Sequence, residues 1–110
     1  MVGWIGVDLD GTLAEYGEWQ GEDHIGEPIE PMVKRVRDWL DEGIEVKIFT
    51  ARVAEDEEGT VRELVEKWSE KHLGQKLQVT NKKDHEMLEL WDDRAVQVIP
   101  NTGKRADGKD

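Results

Sequence analysis

The chain has 110 residues, enough for one hydrophobic core and too few for two domains. Apolar residues make up 36% beside 11 glycines, a globular composition, and the absence of cysteine excludes a disulfide framework, a thiolate metal site and a cysteine nucleophile. The net charge of -11 repels a phosphate backbone and disfavours broad nucleic-acid binding, and with neither an apolar run of roughly 18 residues nor a signal-peptide pattern the expected address is cytoplasmic, with no membrane partner.

Residues 2–7 are apolar throughout apart from their glycines and run directly into Asp8-Leu9-Asp10-Gly11-Thr12. That pattern predicts a short buried parallel strand with Asp8 and Asp10 at its carboxyl end. From 13 to 28, glycines and scattered acids break any period, so a loop or flap is expected there, carrying Tyr16, Trp19 and His24. Met32, Val33, Val36, Trp39 and Leu40 mark one face of a helix that opens near Pro31 and stops at Gly43. Residues 44–50 follow as a strand ending in Thr50. Glu55, Asp56, Glu57 and Glu58 sit where the next helix begins, at its positive dipole end. Val61, Leu64, Val65, Trp68 and His72 then repeat at helical spacing up to Gly74.

Residues 77–80 predict a short strand, 87–91 a better one and 95–99 a last one halted by Pro100. Strands alternating with helices imply an α/β domain over residues 1–100, Rossmann-like, with a mostly parallel sheet. Ligands of such sheets bind beyond the carboxyl ends of the strands. Residues 101–110 lack an apolar anchor and are expected to form a flexible tail.

Four features fall at or just beyond strand ends: Asp8 with Asp10, then Thr50, then Lys83, then Asp92 with Asp93. Phosphoryl transfer needs a nucleophile, a proton donor for the leaving oxygen, cations to neutralise the phosphoryl oxygens and donors to orient them. The set supplies each role. Carboxylates from two strands suit Mg²⁺, a hard ion that prefers oxygen ligands and screens the repulsion between a phosphate and an attacking carboxylate.

These residues resemble the haloacid dehalogenase-like phosphatases. The family's first motif, Asp-x-Asp-Gly-Thr, stands here as Asp8 to Thr12; the second resembles Phe49-Thr50-Ala51-Arg52, the third Lys83 and the fourth Asp92-Asp93. The resemblance implies a sheet of order about 3-2-1-4-5 and a Mg²⁺-dependent phosphomonoester hydrolase. Asp8 is then the nucleophile that forms an aspartyl-phosphate, and Asp10 the general acid/base. Thr50 and Lys83 hold the phosphoryl oxygens, with Gly11, Ala51, Arg52 and Trp19 on the substrate side. Asp8, Asp10 (through its backbone carbonyl), Asp92 and Asp93 form the metal shell. Lys82, adjacent to Lys83, is the alternative third-motif residue.

In the expected sheet order the chain must pass from 80 to 88 across about three strand spacings of ~4.8 Å while descending the sheet. Eight residue steps reach at most ~29 Å, so this link runs almost directly.

Arg52 and Arg94 either touch substrate phosphate or pair with acids, and Tyr16 and Trp19 either touch substrate or pack locally. The cap domain that many family members carry is missing at both usual insertion points. The site is therefore either open to a bulky phosphorylated substrate, small molecule or macromolecule, or closed by a partner subunit in a homo-oligomer. Receiver domains of response regulators also combine Asp, Thr and Lys, but in a different order along the chain. A catalytically silent Mg²⁺- or phosphate-binding domain of the same fold is the alternative function.

Overall fold

The computed structural model of the protein describes residues 3–109. Val2, where the first strand was expected to open, and Asp110, the end of the expected tail, lie outside the described residues. The chain forms β1 (Trp4–Asp8), α1 (Glu30–Asp41), β2 (Glu45–Phe49), a 3-10 turn (Ala51–Val53), α2 (Thr60–Leu73), β3 (Gln78–Thr80) and β4 (Met87–Trp91). All strand pairs are parallel, in the order β3-β2-β1-β4.

Two of the three crossovers, β1 to β2 and β2 to β3, are built from amphipathic helices, while β3 to β4 is a short link without one. Ile5 and Val7 of β1 pair with Val46 and Ile48 of β2, and Ile48 pairs in turn with Val79 of β3. Side chains two apart on a strand share a face, so these residues form one apolar surface. Met32, Val33 and Val36 of α1 and Val61, Val65, Trp68 and Leu73 of α2 join it in a single buried cluster. Pro31 lies in the first turn of α1, where its missing N–H has no intrahelical acceptor to lose. Gly74 ends α2 in the left-handed conformation at φ 85°, with its N–H donating to the Glu70 carbonyl. At the other end of α2, the Asp56 carboxylate accepts from the backbone N–H of Arg62 at 2.8 Å and of Val61 at 3.2 Å. One member of the acidic cluster thus satisfies the orphan donors of the helix start. These bonds, led by that from Arg62, hold Asp56 below the usual carboxylate range.

The sheet has four strands and not the expected five. Residues 95–99 alternate in the manner of a strand, but their hydrogen bonds go to the tail: Ile99 N–H donates to the Lys104 carbonyl and Ala106 N–H to the Gln97 carbonyl, both at 2.8 Å. Val98 and Arg105 form an antiparallel bridge. With its backbone groups satisfied locally, this segment does not add to the sheet, and Val96, Val98 and Ile99 stay exposed. Among the described residues no helix is long and apolar enough to cross a membrane.

Candidate functional site

Parallel pairing brings the carboxyl ends of β1, β2 and β4 to one edge of the sheet. Asp8 closes β1 opposite Phe49, and Thr50 follows one residue later. Val7 pairs with Trp91, so Asp8 and Asp92 leave their strands side by side. An open cavity of about 440 Å³ lies at this edge, lined by Asp8, Thr50, Asp92 and Asp93. Asp10, Ala51 and Arg52, Tyr16 and Trp19 of the flap, and Phe49 and Arg94 complete the lining.

Carboxylate oxygens of Asp8, Asp92 and Asp93 lie within 4.8 Å of one another. Asp93 is fixed by Thr12, whose hydroxyl donates to Asp93 Oδ1 and accepts from the Asp93 N–H, each at 3.0 Å. Gly11 lies at φ 90° directly against the Asp93 carboxylate. The Asp-Gly-Thr run therefore builds the seat of Asp93 beyond the carboxyl end of the neighbouring strand.

The crowding has an electrostatic consequence. Burial raises the pKa of Asp8 to about 7, helped by the Asp92 charge, a carboxyl–carboxyl hydrogen bond with Asp93 and the Asp93 charge; a bond from the Leu9 N–H opposes the shift. Like charges this close favour a shared proton or a cation. The all-oxygen donor set suits a hard cation, with Asp8, Asp92 and Asp93 as the side chains that would hold it.

Thr50 is 2% exposed. Its N–H donates to the Thr80 carbonyl at 2.9 Å, and its hydroxyl oxygen accepts from the Arg52 N–H at 3.2 Å. Thr50 lines the cavity, and a hydroxyl that accepts one bond still has a proton to donate.

The Asp10 carboxylate is not part of the acidic cluster. It faces Arg52, which donates from Nε to Oδ2 and from Nη2 to Oδ1, both at 2.8 Å. The flap is tied at its base by the N–H of Glu15 to the Glu27 carbonyl and of Ile29 to the Leu13 carbonyl, each 2.8 Å, with Leu13 and Ala14 fully buried. Beyond that base, Tyr16 and Trp19 are 50% and 54% exposed.

Lys83, expected at the phosphate, does not line the cavity, and neither does Lys82. Asp84, the next residue, already accepts from Trp4 Nε1 at 2.8 Å, and the Glu86 carbonyl accepts from Trp4 N–H at 3.0 Å. Trp4 opens β1, four residues before Asp8. The link from β3 to β4 must reach the amino end of the sheet within a few residues, and that descent carries Lys83 away from the carboxyl edge. Arg52 and Arg94 are the cationic side chains that line the cavity.

No family model and no curated protein matches the chain. A solved structure, that of a conserved protein from Bacteroides thetaiotaomicron, is similar with a TM-score of 0.62 and 22% identity, over 92% of this chain and 84% of the other. The likeness is one of fold: an α/β architecture with a parallel sheet flanked by helices.

Proposed function

We propose that the protein is a Mg²⁺-dependent phosphomonoester hydrolase of the haloacid dehalogenase-like type, with Asp8 as nucleophile. The observation that carries this reading is the convergence of Asp8, Asp92 and Asp93 within 4.8 Å in a cavity that also holds Thr50 and Asp10. Bound there, Mg²⁺ would neutralise the phosphoryl oxygens and keep Asp8 ionised. An Asp8 oxygen forms the new bond to phosphorus while the bond from phosphorus to the ester oxygen breaks, its electron pair staying with that oxygen. Asp10 gives this oxygen a proton, then takes one from the water whose oxygen bonds to phosphorus as the bond from phosphorus to Asp8 breaks, restoring the Asp8 carboxylate and releasing inorganic phosphate. The Thr50 hydroxyl orients a phosphoryl oxygen. Arg94 supplies positive charge at the cavity, in place of the lysine that the resemblance implies, while the charge of Arg52 is paired with Asp10.

The cavity is open and its acids repel polyanions, which favours a small phosphorylated molecule, with a phosphorylated group on a macromolecule as the other substrate class. The test is release of phosphate from a generic phosphomonoester with Mg²⁺, abolished by chelation and restored by added Mg²⁺. Two observations favour a second reading, a catalytically silent domain that binds Mg²⁺ or phosphate: Lys83 stands outside the cavity, and Asp10 is engaged by Arg52. Binding of Mg²⁺ without turnover across a panel of phosphate esters would establish that alternative.

A further inference from the structure

The Arg52 side chain is 5% exposed, although it lines an open cavity. Its burial follows from its partners. Besides the two bonds to Asp10, Nη1 donates to the Glu22 carbonyl at 3.1 Å and Nη2 to the His24 carbonyl at 2.8 Å. The guanidinium also stacks against Trp19, with Cζ 4.9 Å from the ring centroid. Four of the five N–H donors of the guanidinium are therefore used, two on Asp10 and two on the flap. The flap segment around 19–24 is far from the Thr50 turn in sequence, and Arg52 ties it to the start of that turn, where its own N–H is held by Thr50.

We propose that Arg52 is a positioning residue that locks the Asp10 carboxylate and the flap tip into one unit, so that a single guanidinium sets both the proton donor and the wall facing the leaving group. The inference rests on the phosphatase reading for what Asp10 does, while the tie between Arg52 and the flap does not. A planar fork is needed: lysine keeps the charge but cannot serve two carboxylate oxygens and two carbonyls at once.

The test uses the full chain with Arg52→Lys, and Arg52→Gln as the second variant should the first not fold. Two readouts are taken: amide hydrogen exchange by residue, and single-turnover release of the leaving group from a nitrophenyl phosphate and from an alkyl phosphate with Mg²⁺, which reads the first, acid-dependent step and not the hydrolysis of the aspartyl-phosphate that both esters share. Nitrophenolate leaves without protonation, whereas an alkoxide needs the proton from Asp10, so misplacing Asp10 should slow the alkyl ester at least about tenfold more than the nitrophenyl ester. Exchange should rise at least about tenfold at residues 16–25 and stay unchanged in β1 and β2. Unchanged exchange at 16–25 overturns the tie to the flap, whether or not either ester is hydrolysed. Equal losses on the two esters overturn the positioning of Asp10. A wild-type protein that hydrolyses neither ester overturns the phosphatase reading and the Asp10 half with it, and is told apart because the exchange result stands separately.

Discussion

Gly11 and Asp93 stand so close that a β-carbon on Gly11 would lie 2.5 Å from Asp93 Oδ2. The contact joins the loop after β1 to the residue pair after β4, and it depends on glycine twice, through the missing β-carbon and through φ 90°. Gly11→Ala is expected to cost about 1–3 kcal/mol of stability, from the left-handed backbone and the displaced carboxylate. It should also weaken Mg²⁺ binding, because Asp93 cannot keep its bonds to Thr12 and make room. Thermal melts with and without Mg²⁺ check both effects.

A pH dependence follows from Asp8. Its folded pKa of about 7 lies above the ordinary 3.8, so between these values the folded state holds a proton that the unfolded chain has released. Stability from this group is present below about pH 4 and is lost as pH rises through about 7. Without metal, Asp8→Asn should therefore be more stable than wild type above pH 7, and the gap should close as the pH falls toward 4. Paired melts across that range measure it, and a gap constant with pH would contradict the assignment.

Mg²⁺ should reverse the penalty. A cation that binds the folded chain alone stabilises it by about 2.7 kcal/mol at a hundred times its Kd. The gain should be seen as a rise in melting temperature, disappear in Asp92→Ala and be larger at pH 8 than at pH 5, where protons compete for Asp8. Titration calorimetry with MgCl₂ gives the same answer without heating.

Placement of the cationic residues predicts a ranking. Arg94 lines the cavity and Lys83 does not. Arg94→Ala should lower turnover and phosphate binding more than Lys83→Ala, whose effect should stay within about twofold, the range of a surface substitution. Steady-state kinetics and inhibition by inorganic phosphate or vanadate decide the order.

The site was legible where chemistry is local in sequence. Asp8, Asp10, Gly11 and Thr12 are contiguous, and Thr50 and Asp92 each end a strand whose apolar run is plain, so strand pairing alone carries them to one edge. The helix limits were legible from Gly43 and Gly74. Two features were not. The length of the 80–88 link already required a nearly direct descent, but the motif order did not say that this descent takes Lys83 off the carboxyl edge, and the alternation in 95–99 does not say whether its partner is the sheet edge or the tail. The bidentate pair of Arg52 with Asp10 joins residues 42 apart. Its sequence signal was only an arginine two residues beyond Thr50, equally compatible with contact to a phosphate.

The central claim is nucleophilic attack by Asp8, and the most direct measurement compares phosphate release by wild type and Asp8→Asn from one phosphomonoester at saturating Mg²⁺. An amide is a poor nucleophile and adds no charge to the metal site, so the variant should lose at least about a hundredfold in kcat while remaining folded. Retention of more than about a tenth of wild-type kcat would contradict the account.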